Sequence, residues 1–272
     1  MLLLTGDAVT EAALAALHLH PVEGDVIEMA GGVYPKWACF LGAFNINAAR
    51  PATRPLLVRP ANGAAVVWDG TGTVNTPPFR IGWNALASYI TFDAAGGSFT
   101  AQNYQLGKVG LVMARYYDHI TFNGLIVRNV EGGFGDGIPG QQQHSHALYL
   151  STDGTHRSKS FTANGWDVVG PANRMLNGLQ TDGSPNADGV IAKGWKVRSL
   201  HRAVYAWSDP TGLVIDGWDI ADCNVTVDNN KGQQTSQGVV SNCKAVNAGP
   251  LAVGQGMWGG TRLVSGGGNT SA

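Results

Sequence analysis

Three stretches decide the fold: Phe161-Thr-Ala-Asn-Gly-Trp-Asp-Val168, Val190-Ile-Ala-Lys-Gly-Trp-Lys-Val197 and Leu213-Val-Ile-Asp-Gly-Trp-Asp-Ile220. They align position for position, with apolar residues first and third, a polar fourth, glycine fifth, tryptophan sixth and an apolar eighth. Ile120-Thr-Phe-Asn-Gly-Leu-Ile-Val127 is a further copy. Gly238-Val-Val-Ser-Asn-Cys-Lys-Ala245 is a weaker one, and Ile90-Thr-Phe-Asp-Ala94 a partial one. The turn glycines Gly124, Gly165, Gly194 and Gly217 lie 41, 29 and 23 residues apart. Period-two apolar runs broken by Gly, Asn and Asp read as strands and turns.

A second set of strands precedes the copies: Leu111–Arg115, Ala147–Ser151, Gly178–Asp182 and Ala203–Trp207, with Val225–Asp228 and Leu251–Val253 as weaker members. Each unit therefore reads strand, turn, strand, turn, strand. Self-similarity at a period of roughly 20 to 40 residues marks a solenoid. One rung cannot bury its apolar face alone; stacked rungs make a continuous core. A propeller needs about 40 or more residues per blade, and units of 23 and 29 are too short. The leucine and asparagine skeleton of a leucine-rich repeat is absent, and a jelly roll has no such repeat. Chance similarity in a β-rich chain is disfavoured because apolar columns and turn residues align together across four copies. The expectation is an all-β, single-stranded parallel β-helix.

The flanks divide the 272 residues further. Asp7 or Thr10 can cap a short helix over Glu11–His18, with Leu14 and Leu17 on one face and Pro21 after it. Residues 1–22 are expected as an N-terminal capping helix, 23–265 as the β-helix and 266–272 as a flexible tail. Hydrophobic residues make up 44%, enough for a full core, whereas charged residues are only 14% against ~25% in typical soluble domains. A net charge of −1 gives no electrostatic footprint for nucleic acid or an anionic membrane. No run approaches the ~18 apolar residues of a membrane span. The apolar start, Met1–Leu4, is followed by Asp7 and Glu11 without a basic segment, so no secretion signal is read. Cys39, Cys223 and Cys243 are too widely spaced for a zinc site or a disulfide framework, and read as buried thiols.

The opening, Thr10-Glu-Ala-Ala-Leu followed by Glu23-Gly-Asp-Val-Ile-Glu-Met-Ala-Gly-Gly-Val-Tyr34, resembles the start of the pectin-lyase-like right-handed parallel β-helices. His146-Ala-Leu-Tyr149 is similar to a strand motif found in many members. The resemblance spans about residues 10 to 265. It implies a right-handed coil whose N-terminal end is covered by a short helix. The superfamily includes chondroitinase B-like and alginate-lyase-like polysaccharide lyases, glycoside hydrolases, epimerases and phage tailspikes, so fold alone does not select the activity.

Residues of equivalent position stack into ladders, and strand side chains alternate between core and surface. Leu148, Leu179 and Val204 form an apolar column and are placed inside. Tyr149, Gln180 and Tyr205 then point out, as do Arg115, Ser151, Asp182 and Trp207 two residues on. His146 and Arg202 flank this stripe, with Asp153 and Asp209 at its turns. Aromatic faces stack on sugar rings, while Gln, Asp and Arg supply directed bonds to hydroxyls or a uronate carboxylate. An ordinary exposed ladder is the competing reading.

Two chemistries fit. A lyase needs a base and a cation beside a uronate carboxyl, roles open to His146, Tyr149, Arg115 and Arg202. A hydrolase needs two carboxylates, which Asp182 with Asp153 or Asp209 would supply. The catalytic set is Asp182, His146, Tyr149 and Arg202. The substrate-binding set is Arg115, Asp153, Gln180, Tyr205, Trp207 and Asp209. Neither the Asn-plus-Lys/Arg pattern of alginate-lyase-like families nor the Asp-rich calcium set of pectate lyases is present. Enzyme action on a polysaccharide is the first reading. A non-catalytic, glycan-gripping virion or cell-surface module is the alternative, trimeric if a tailspike. Either places the protein outside the cell or on a virion.

No cofactor is expected. Asp219, Asp222 and Asp228 as calcium ligands match no recognised loop. Trp166, Trp195 and Trp218 make a further column, either core or a second sugar platform. Gly132–Gly140, followed by Gln141–Gln143 and His144, reads as a loop walling the stripe, its glycines lacking the strand–helix context of a nucleotide site. His156 and His201 read as solvated or bonded to turns.

Overall fold

The repeated glycine sits where the chain must turn a corner between two strands in a backbone conformation that residues with side chains rarely adopt. In the computed structural model, Gly124, Gly165, Gly194 and Gly217 take φ values of +77, +64, +64 and +67°, the left-handed region. Each donates its N–H to a carbonyl of the next copy, those of Asn164, Lys193, Asp216 and Ser241 in turn. The corner thus bends the chain and ties one rung to the next. The structure describes residues 2–4, 26–35, 52–53, 55–73, 77–82, 86–107, 109–132, 145–151, 158–171, 176–182, 187–206, 212–229, 237–248 and 262–271.

All the described elements are strands. The chain begins with β1 (Leu2–Leu4), β2 (Val26–Met29) and β3 (Gly32–Pro35). Two rungs follow: β4 (Leu56–Pro60), β5 (Ala65–Asp69) and β6 (Phe79–Ile81), then β7 (Ala87–Asp93), β8 (Ser98–Gln102) and β9 (Gly110–Ala114). The next two are β10 (Tyr117–Asn123), β11 (Leu125–Arg128) and β12 (Ser145–Ser151), then β13 (Ser158–Asn164), β14 (Asp167–Val169) and β15 (Leu176–Asp182). Then come β16 (Ala187–Lys193), β17 (Lys196–Arg198) and β18 (Arg202–Ala206), and β19 (Val214–Asp216), β20 (Asp219–Ala221) and β21 (Val225–Asn229). β22 (Gln237–Ser241), β23 (Lys244–Val246), β24 (Arg262–Gly267) and β25 (Thr270–Ser271) close the series.

From β4 to β23 consecutive strands do not pair with each other, whereas at the N-terminal end β1 pairs with β2. Every third strand meets its equivalent one rung away, giving three parallel sheets of 10, 9 and 6 strands. This arrangement is compatible with a β-helix or solenoid. The register matches the repeat read in the sequence: Ile120 pairs with Ile90 and Phe161, and Phe161 with Val190. Leu148, Leu179 and Val204 pair in one column and are buried, as expected.

The expected N-terminal helix lies outside the described residues. Leu2–Leu4, inside the segment assigned to that cap, form a strand paired in parallel with Ile27–Met29. At the other end the pairing runs past residue 265: β24 adds to the first sheet beside β22 and β25 to the second beside β23. Ser265, Asn269 and Ser271 there follow the buried Val240, Cys243 and Ala245. The inward columns at Val240 and Ala245 thus continue into serines in β24 and β25.

Trp166, Trp195 and Trp218 are core residues, each at most 1% exposed. Successive indoles stack at 4.6 Å and 9°, then 4.5 Å and 6°. Trp166 Nε1 donates to the Phe122 carbonyl (3.0 Å), Trp195 Nε1 to Ala163 (2.9 Å) and Trp218 Nε1 to Ala192 (2.9 Å). One residue type thus fills the core and satisfies a buried carbonyl one rung back. Volume is conserved beside it. Where Phe122 and Leu125 occupy one rung, Ala163 with Trp166 and Ala192 with Trp195 occupy the next two.

Outward charges pair between rungs. Arg128 reaches Asp167 (2.5 Å) and Arg198 reaches Asp219 (2.8 Å). Asp219 is thereby engaged, and Asp222 accepts from Asn247 Nδ2 (3.0 Å). At the first corner Asp216 accepts from Ser241 Oγ (2.7 Å) and Asn242 Nδ2 (2.8 Å). These bonds hold its carboxyl below the usual carboxylate range.

Two tests follow from this packing. Trp195→Ala is expected to cost about 3–5 kcal/mol in chemical denaturation, and Trp195→Phe less, the residue of that loss being the orphaned Ala163 carbonyl. A depressed folded-state pKa stabilises at pH above the ordinary carboxylate range and is lost as pH falls through the folded value. Asp216→Asn is therefore expected to lower the melting temperature at pH 7 and to flatten its decline on acidification.

Candidate functional site

The outer face of the third sheet carries most of the residues singled out from the sequence. Two ladders run across β9, β12, β15 and β18. One holds Gly110, His146, Asn177 and Arg202; the other holds Met113, Tyr149, Gln180 and Tyr205. Simple alternation would put residues three apart on opposite faces. Here the pairing skips Ala147, Gly178 and Ala203. Ala147 and Leu148, like Ala203 and Val204, are consecutive and both in the core. Two inward residues in succession return the residues on either side to the same outer face. His146 accordingly stacks on Tyr149, with ring centroids 5.3 Å apart at 21°. The Arg202 guanidinium lies 4.5 Å over the Tyr205 ring.

The middle rung is the polar one. Asn177 Nδ2 lies 3.3 Å from His146 Nδ1. With that amide donating, the neutral imidazole keeps its proton on Nε2. Asn177 is 1% exposed and Gln180 7%. Asn177 Oδ1 and Gln180 Oε1 are buried with no hydrogen-bond partner among the described residues. Each such acceptor costs about 1–3 kcal/mol while it stays unsatisfied. The site is thus a rung of two acceptor-bearing amides, between an imidazole–phenol pair and a guanidinium–phenol pair. Adjacent rungs are ~4.8 Å apart.

Several sequence-level placements change. Gln180, expected in an open stripe, faces outward yet is buried, and so is His146 at 5% exposure. An outward direction follows from strand parity, but exposure depends on what crosses the face. Tyr149, Tyr205 and Arg202 are half-buried. Arg115 follows β9 and is also half-buried, its N–H donating to the Ile81 carbonyl (3.1 Å). Asp182 pairs with Ser151 at the end of the ladder. Asp153, Trp207, Asp209, His156 and the loop after Gly132 lie outside the described residues. His201 Nδ1 is 3.4 Å from Asn224 Nδ2, beside a turn. Asn177 was missed. Its signal is the recurring spacing His146-x-x-Tyr149, Asn177-x-x-Gln180, Arg202-x-x-Tyr205, which a period-two reading passes over.

Among the described residues no group of three or more His, Cys, Asp or Glu is placed to hold a metal ion. No helix among them is long and apolar enough to cross a membrane. No protein-family model, curated protein or solved structure matches the chain.

Gly178 sets the spacing of the middle rung. A Cβ there would lie 2.3 Å from the Ala203 carbonyl oxygen. Gly178→Ala is therefore expected to part β15 from β18, at a cost of about 1–3 kcal/mol in thermal or chemical denaturation. Amide signals of Gln180 and Tyr205 should shift more than those of the Trp column.

Proposed function

We propose that this protein is a right-handed parallel β-helix that binds an acidic polysaccharide across the third sheet and cleaves it by β-elimination. The handedness rests on the strong preference of parallel crossovers for that sense, ~98% of cases, and on the resemblance to pectin-lyase-like proteins. The observation that carries the functional reading is the three-rung array of His146–Tyr149, Asn177–Gln180 and Arg202–Tyr205. Its half-buried members Tyr149, Tyr205 and Arg202 present ring faces and a cation to a ligand, and the two amide oxygens between them lack a donor among the described residues.

The steps use these residues alone. Tyr149 and Tyr205, two rungs or ~10 Å apart, offer ring faces on either side of a sugar held at the amide rung. Arg202 pairs with the uronate carboxylate and stabilises the charge that spreads on to it when the α-proton leaves. Tyr149, ionised to its phenolate, takes that proton, with His146 stacked against it orienting the ring. The α-carbon electron pair forms the new double bond, the glycosidic C–O bond breaks, and Tyr149, now a neutral phenol, returns its proton to the departing oxygen and is restored as the phenolate. Elimination is preferred over hydrolysis because the described members of the array are bases and cations, whereas hydrolysis requires a flanking carboxylate pair.

Tyr149→Phe is expected to lower turnover about a hundredfold or more while leaving the melting temperature within a few degrees. The assay is the ultraviolet absorbance of the unsaturated product, on a panel of uronate polymers. Asp182→Asn separates the chemistries: elimination survives it, hydrolysis does not. Silence on every polymer, with glycan binding that Gln180→Leu weakens, would leave a non-catalytic glycan-binding module of the tailspike or cell-surface kind.

A further inference from the structure

A different corner of the fold, between the second and third sheets, carries a polar cleft that the third-sheet site does not use. Asp69 anchors it. Its Oδ1 accepts from Thr71 N (2.8 Å) and Thr71 Oγ1 (2.6 Å), and its Oδ2 from Gln102 Nε2 (2.9 Å) and Asn103 Nδ2 (3.0 Å). Burial disfavours the charge, but these four bonds outweigh it and hold the carboxyl below its ordinary range. Asn129 Nδ2 in turn donates to Asn103 Oδ1 (2.7 Å). Both asparagines sit at positive φ, +60 and +48°, a region asparagine tolerates.

The chain of bonds has a direction. Each amide points its N–H toward Asp69, so each carbonyl points away from it. Asn103's carbonyl is taken by Asn129; Asn129's accepts no hydrogen bond among the described residues. The equivalent residue one rung on is Gly170, where even a Cβ would meet the Ser199 carbonyl oxygen at 2.2 Å. The ladder therefore ends in an open acceptor.

Beyond the corner, Tyr104, Leu106 and Val130 are buried, which turns Gln105 and Glu131 outward between them. A parallel bridge joins Gln105 to Glu131, and Glu131 N donates to the Tyr104 carbonyl (2.8 Å). Their side chains stand one rung apart with no ion pair or hydrogen bond among the described residues. With Thr71, Gly72, Asn103 and Asn129 they line a cleft of about 330 Å³, at the small end of ligand sites, ~300–1,000 Å³. Among the described residues no lysine or arginine lines it, and Arg128 beside Asn129 is committed to Asp167. The lining is acceptor-rich, formally negative and held in place by a carboxylate-anchored ladder.

We infer that this cleft binds a single sugar ring carrying a primary ammonium group, an amino sugar. Glu131 pairs with the ammonium, while Asn129 Oδ1 and the Gln105 amide take ring hydroxyls. Glu131→Gln keeps the shape and removes the charge.

The test is an NMR titration of the full chain at low ionic strength, read at the Asn103 and Asn129 side-chain amides. The probes are glucosamine, glucose, N-acetylglucosamine and lysine amide. Glucosamine should bind at least tenfold more tightly than glucose or N-acetylglucosamine, and Glu131→Gln should erase that difference. Absence of glucosamine shifts, equal binding by Glu131→Gln, or lysine amide binding as tightly as glucosamine would each overturn the assignment. Because the readout is local to this corner, its failure is distinct from failure of turnover at the third sheet.

Discussion

Everything in this protein depends on one rung lying in phase with the next. The phase is set at corners. Gly124, Gly165, Gly194 and Gly217 turn the chain at positive φ and bond to the following rung, and Asn242 takes the same place further on, at φ +53°. The indole column adds a second lock, since each Trp Nε1 reaches a carbonyl exactly one rung back along the same corner. A slip by one residue would turn every inward side chain out. It would also strand three buried indole N–H groups, and unsatisfied buried polar atoms make wrong registers expensive.

The site arises where that regularity is locally relaxed. In the second sheet alternation is orderly: Ser98–Gln102 and Leu125–Arg128 alternate half-buried and buried residues without interruption. In the first sheet the pairing skips Tyr89, His119 and Ser160, each at positive φ. In the third sheet two inward residues in succession bring i and i+3 together on the outer face. That places an imidazole on a phenol and a guanidinium on another, pairs that ordinary alternation cannot form. The amide rung between them leaves two buried acceptors without a donor among the described residues, each at a cost of about 1–3 kcal/mol.

Low charge content fits the same construction. In a stack of identical rungs, like charges would lie ~4.8 Å apart up each ladder. The second sheet alternates instead, with Asp167, Lys196, Asp219 and Lys244 in one outward column. Elsewhere the ladders use neutral groups, such as Thr91, Thr121 and Thr162 or the amides of Asn123 and Asn164. The cleft at Glu131 stands out because, among the described residues, its carboxylate has no such counterpart.

The amino-acid sequence by itself determined the rung and its register. The copies at Ile120, Phe161, Val190 and Leu213 pair as their alignment requires, and Leu148, Leu179 and Val204 fall inside, because both depend only on local alternation and turn residues. The sequence left open whether the Trp column faced in or out, since an aromatic beside a turn glycine suits either. It misjudged the exposure of His146 and Gln180, and passed over Asn177. Only the tertiary structure decided these. A skipped pairing at Ala147 and Gly178 is invisible to a period of two, and the burial of an outward side chain depends on three-dimensional packing that strand parity does not contain.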